Sequence, residues 1–197
     1  MTGARRFSQA ISEGDGISIV ALVSDLAAAQ TAEEQGAEAL VLAAPVEGLA
    51  EATGLPVLWR PPGAPEQARS AGADACVLAV APLEDDDGEL ERLHRGALEL
   101  GLDCVVEVGD EEQLELALER IDPEIFLLSS VDANHGEPLL ERALDLLPDV
   151  PAGKLAIAEI EAAVREEIAE LERAGMDAVI VRAGNIADLT GEPPPEV

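Results

Sequence analysis

The chain has 197 residues, with 41 Asp or Glu against 12 Lys or Arg, a formal net charge of −29. It contains one Trp, two Phe and no Tyr, and Lys154 is the only lysine. Nucleic-acid binding, which needs a basic footprint and aromatic stacking platforms, is excluded, and an anionic membrane surface is disfavoured by the same sign argument. Lysine chemistry has a single candidate. Because 48% of the residues are apolar, the chain is not a disordered acidic tail and can bury a core.

No uncharged apolar stretch reaches the roughly 18 residues of a membrane span. The opening MTGARRFSQAISEGDG lacks the apolar region of a secretory signal. Cys76 and Cys104 both lie in apolar, strand-like runs and read as reduced structural thiols, so a cytoplasmic protein is expected. The acid excess fits a salt-adapted host or a lysine-poor genome equally well.

In chain order, strand-like runs occur at GISIVALV (16–23), QGAEALVLAA (35–44), LPVLWR (55–60) and AGADACVLAV (71–80). They continue at LGLDCVVEV (100–108), EIFLLSS (124–130), KLAIAEI (154–160) and AGMDAVIVRA (174–183). Four of these share one phrase, a helix-ending Gly followed by an acidic residue and a short apolar run, which is how a helix-to-strand connection is written. Amphipathic stretches separate them. DEEQLELALERI (110–121) places Leu114, Ala117, Leu118 and Ile121 on one face, with Asp110 as N-cap. EAAVREEIAELERAG (161–175) repeats the pattern with Val164, Ile168 and Leu171.

The strands are nearly continuous in Val, Leu, Ile and Ala, as expected when both faces of a parallel sheet are covered. Eight strand–helix units predict a compact (β/α)8 barrel with short loops, a TIM barrel in one domain over residues 1–190. A doubly wound open sheet is the alternative, but VALVSDL after the first strand has no glycine. APLEDDDG (81–88), PPGAPE (61–66) and SVDANHGE (130–137) read as loops, and GEPPPEV (191–197) as a disordered tail.

Barrel active sites lie at the C-terminal ends of the strands. Those positions hold Ser24, Asp25, Arg60, Glu107, Ser129, Ser130, Asp132, Glu159 and Arg182. Glu107, Glu159 and Arg182 interrupt apolar runs, where a charge is costly unless paired. Two readings stand side by side. In one, the carboxylates form an acid–base pair and the arginines grip an anionic substrate. In the other, the charges form a closed ion network that plugs the mouth. His135 reads as a loop histidine, His94 as a surface residue, Lys154 as belonging to the stability face, and the EDDD run as solvated. No cofactor or metal is expected, since no His/Cys ligand set stands out.

From Leu55 onward the chain resembles indole-3-glycerol phosphate synthase, a (β/α)8 barrel of tryptophan biosynthesis. The resemblance is carried by GLPVLWR, by EQARSAGADACVLAVAPLEDDDGELERLHRGALELGLDCVVEVGDEEQLELAL, by IFLLSSVD and by ERAGMDAVIVRAG, and weakly by GISIVALV. The resemblance implies a carboxy-lyase acting on a small phosphorylated substrate. It also implies catalytic roles at Glu107, Glu159 and Arg60, and substrate or phosphate binding at Ser129, Arg182, Gly184 and Asn185.

Position by position, the match is incomplete. The family's Glu and Lys in the first strand correspond to Leu22 and Ser24. Its catalytic lysine in the third corresponds to Arg60, a poor general acid. Glu107 is kept, the family's Asn becomes Ser129, and Glu159 is kept with Ala158, Ile160 and Glu161 around it. Where a small-residue phosphate loop is expected, this chain has Arg182-Ala183-Gly184, leaving the amides of Gly184 and Asn185. The family's N-terminal extension and the long loops after the first two strands are nearly missing, and few aromatics remain to hold a ring. The expectation is a degenerate site whose ring-closing decarboxylation is lost or altered. A non-catalytic binding or interaction module is the alternative, and retained synthase activity a second. An open mouth pocket of about 300 Å3 or more favours an enzyme, and Arg–Glu contacts filling the mouth favour the module.

Overall fold

The computed structural model describes residues 6–14, 16–63, 65–83, 88–129, 139–160, 164–182 and 186–190. Eight strands form one closed, all-parallel barrel in sequence order. They are β1 (Ser18–Val23), β2 (Ala39–Leu42), β3 (Val57–Trp59), β4 (Ala75–Ala79), β5 (Asp103–Val108), β6 (Ile125–Leu128), β7 (Leu155–Glu159) and β8 (Ala178–Arg182). Each lies inside a run read as a strand from sequence. Around them stand α2 (Leu26–Glu34), α3 (Leu49–Ala52), α4 (Pro65–Ser70), α5 (Glu89–Glu99), α6 (Glu111–Arg120), α7 (Leu139–Leu146), α8 (Arg165–Ala174) and α9 (Ile186–Thr190), preceded by α1 (Phe7–Ser12). The expected TIM barrel is the observed fold.

Strand alternation divides the core into two layers. Val20, Val41, Leu58, Val77, Val105, Leu127, Ile157 and Ile180 fill the barrel interior. Their strand neighbours Ala21, Leu42, Leu78, Val106, Phe126, Ala158 and Val181 pack outward with the helices. Both faces are therefore apolar, which is why the strands read as continuous hydrophobic runs.

The recurring Gly-x-Asp phrase does two jobs. Its glycine ends the helix in the left-handed region, φ 77° at Gly72 and 98° at Gly175, where a side chain would be strained. Its aspartate then ties the next strand to its neighbour. The Asp74 carboxylate accepts the Val57 N–H at 2.9 Å while the Asp74 N–H donates to Val57 O at 2.9 Å. Asp177 does the same with Ala156, at 2.8 and 3.0 Å. Asp103 accepts the N–H of Ser8 at 2.8 Å, which anchors α1.

That first helix is a feature the sequence reading did not identify. Phe7 and Ile11 are buried within the interior cluster, beside the residues that begin β2, β4 and β8. The helix thus caps the N-terminal end of the barrel. Buried Ser18 supports it, its hydroxyl donating to Ile11 O at 3.3 Å.

Two local expectations need correction. Val164 was expected on the apolar face of its helix, but α8 begins one residue later, with Val164 as N-cap and 50% exposed. The Glu167 carboxylate accepts the Val164 N–H at 3.2 Å, so this start is set by a polar contact. His94 is half-buried rather than a surface residue, and burial lowers its pKa. Asp110 caps α6 as expected, accepting the Gln113 N–H at 2.9 Å.

Candidate active site

Period-two alternation also selects the site. On β5, Val105 points inward, so Glu107 does too; on β7, Ile157 sets the same direction for Glu159. Leu58 directs Arg60, Leu127 directs Ser129, and Ile180 directs Arg182. Four of these side chains meet over the interior layer at the C-terminal mouth.

Arg60 is the hub. Its Nη1 and Nη2 donate to the two Glu107 oxygens at 3.0 and 2.6 Å, a bidentate fork. Its Nε and Nη2 also donate to Glu159 Oε2 at 3.2 and 3.0 Å. Ser129 donates its hydroxyl to Glu107 Oε1. The Glu107 side chain is 3% exposed, that of Arg60 23% and that of Glu159 29%. Burial opposes the Arg60 charge, but Glu107 and Glu159 more than offset this, and its pKa is raised.

Above this network is a pocket of about 630 Å3. Leu22, Ala79, Ile160 and Ile180 supply apolar wall, and Arg60, Glu107, Ser129, Glu159 and Arg182 supply the polar groups. Arg182 is exposed at the end of β8. Both features weighed from the sequence are therefore present: Arg–Glu contacts across the mouth, and a cavity of ligand size above them.

The remaining sequence candidates separate. Asp25 caps α2, accepting the Ala28 N–H at 2.9 Å and the Ser24 hydroxyl at 3.2 Å. The Ala28 bond, then the Ser24 bond, hold its pKa below the ordinary value. Lys154 lies at the opposite end of the barrel, with Nζ 2.7 Å from Asp122. Ser130, Asp132, His135, Glu161, Gly184, Asn185, the EDDD acids beyond Leu83 and the tail 191–197 lie outside the described residues. Among the described residues, no three His, Cys, Asp or Glu side chains gather to hold a metal ion, and no helix is long and apolar enough to cross a membrane. The sequence reading did not name the pocket walls at Pro62, Ala79 and Pro82. Alternation from Val77 would have indicated Ala79, whereas Pro62 sits in a loop and Pro82 in a short 3-10 turn (Ala81–Leu83), neither with a readable periodicity.

Fold and site together define a (β/α)8 barrel with a ligand-sized pocket over the C-terminal ends of its strands. The family profile of indole-3-glycerol phosphate synthase matches residues 65–185, and the chain belongs to that family. It is 36% identical over 151 residues to indole-3-glycerol phosphate synthase of Acidithiobacillus ferrooxidans, covering 75% of this chain and 54% of that protein. It is 36% identical over 115 residues to the enzyme of Variovorax paradoxus, covering 58% of this chain and 42% of that protein. The chain thus spans about half the length of the curated relatives it matches. Among solved structures, the tryptophan synthase alpha-subunit of Pyrococcus furiosus matches with a TM-score of 0.63 at 14% identity, covering 87% of this chain and 88% of that one. A mandelate oxidase matches with a TM-score of 0.63 at 15% identity, covering 88% and 68%. Those two likenesses concern the fold.

Proposed function

We propose that this barrel binds a small anionic, phosphorylated compound at its C-terminal mouth and has lost the ring-closing decarboxylation of its family. The observation that carries this reading is the Arg60 guanidinium held by both Glu107 and Glu159. The resemblance puts a lysine acid at that position. An arginine does not release its proton at working pH, and its two carboxylate partners favour the charged form further. Leu22, at a position where the family has a charged residue, is pocket wall. Ser24, at the other, is bonded to Asp25.

In this reading Arg60 and Ser129 orient Glu107, and Arg182 receives the anion, together with the amides of Gly184 and Asn185. The relatives' name supports the ligand class, because their product is a phosphate ester. Any proton transfer that survives falls to Glu107 and Glu159. The test is an assay with the synthase substrate, run beside calorimetric titration with propyl phosphate. The expected result is binding of the phosphate ester without ring closure. Turnover that disappears in Glu107→Gln would instead establish retained synthase activity.

A purely structural module is favoured by one observation, the closed contact of Arg60 with two carboxylates. That reading predicts no ligand binding at the mouth.

A further inference from the structure

We propose that the compound bound at the mouth carries a protonated amine as well as its anionic group, and that the amine docks on Glu159. This rests on the mouth being an anion-binding pocket, and it concerns the opposite end of the same ligand.

The polar floor is unbalanced. Within the linked group Arg60 brings one positive charge and Glu107 and Glu159 bring two negative ones, while Arg182, the other positive charge of the lining, stands apart at the end of β8. Glu107 is buried, and Arg60 and Ser129 occupy both its oxygens. Glu159 differs. Both bonds from Arg60 end on its Oε2, and no hydrogen bond among the described residues ends on its Oε1. The side chain is 29% exposed and lines the pocket. An acceptor with excess negative charge therefore faces a cavity walled by Leu22, Ala79, Ile160 and Ile180. Low-dielectric walls strengthen the field of that carboxylate. A second anion at the floor is repelled, a neutral hydroxyl gains one hydrogen bond, and an ammonium gains both charge and hydrogen bond.

The anionic end has its own place. Glu159 is in register with Ile180, and Arg182 is two residues further along β8. With the usual rise and spacing of strands, their Cα atoms are roughly 8 Å apart. That span suits a short chain with an amine at one end and a phosphate at the other.

Three probes test this by titration calorimetry on the full chain: 3-aminopropyl phosphate, propyl phosphate and 3-acetamidopropyl phosphate. The aminopropyl ester should bind at least about tenfold tighter than the other two. In Glu159→Gln, with its melting temperature checked, the ratio of aminopropyl to propyl phosphate affinity should fall to about one. Equal affinities of the three probes in the unaltered protein would overturn the amine site and leave the anion-binding mouth standing. A preference that persists in Glu159→Gln would overturn it as well, by placing the amine elsewhere. If none of the probes binds, the mouth is not an anion pocket, and both readings fall.

Discussion

Arg60 and Glu107, 47 residues apart in the chain, are joined across the barrel mouth by two hydrogen bonds of 3.0 and 2.6 Å. A bidentate pair with one member 3% exposed is costly to break from either side, but the sides are not equivalent. Removing Glu107 leaves Arg60 with Glu159. Removing Arg60 leaves Glu107 buried with Ser129 alone, facing a second carboxylate. Arg60→Ala should therefore destabilise by about 3–5 kcal/mol, and Glu107→Ala by less. Urea unfolding of both variants measures this. Equal losses, or losses below about 1 kcal/mol, would mean that solvent screens the network.

The strand-tying aspartates make a pH prediction. Burial raises the pKa of Asp74 and Asp177, against the backbone N–H bonds that lower it. A carboxyl whose folded pKa lies above its unfolded value of about 3.9 binds its proton more tightly when folded. Its contribution is fully present below the unfolded value and is lost as pH rises through the folded one. Asp74→Asn keeps an acceptor for Val57 and removes the half-buried charge, so it should be neutral or stabilising at pH 7 and flatten stability between about pH 4, near the unfolded value, and neutrality. Asp74→Ala leaves the Val57 N–H without its partner and should cost about 1–3 kcal/mol. Thermal melts across that pH range distinguish the two.

Phe7 tests the end cap. It is completely buried in the interior cluster, although it lies outside the strand–helix repeat. Phe7→Ala should cost about 3–5 kcal/mol, like other large-to-small core changes. A loss below about 1 kcal/mol by denaturant titration would mean that α1 is merely docked.

Cys76 and Cys104 are register partners on β4 and β5, buried as thiols in the outer layer. The Cys104 thiol is pushed well up, first by its bond with Cys76 and then by burial. Labelling with a thiol reagent at pH 8 should be at least about tenfold slower in the folded protein than in denaturant, because both thiols are buried and little Cys104 thiolate is present. Equal rates would show that the outer layer opens readily.

The architecture was legible because it depends on local pattern. Helix-ending glycines, continuous apolar strands and capping aspartates such as Asp110 are read within a few residues. Glu107, Glu159 and Arg182 were legible for a related reason, since a charge in a buried strand marks a position that needs a partner. Val164 was misread because periodicity alone does not locate a helix start. Phe7 and Ile11 went unnoticed because a helix of six residues carries too little pattern to show which surface it covers.

Sequence by itself determined the eight units, their order, the apolar layers and the few charged positions near the mouth. Only tertiary structure decided what those charges do. Whether Arg60 grips a ligand or its neighbours depends on bringing β3, β5 and β7 together around a closed ring, and no local spacing encodes that distance. The acid excess of the opening count resolves in the same way. Solvated acids cost little wherever they stand, but closure of the barrel places Glu107 and Glu159 against a single arginine, which leaves the mouth with one carboxylate oxygen to offer.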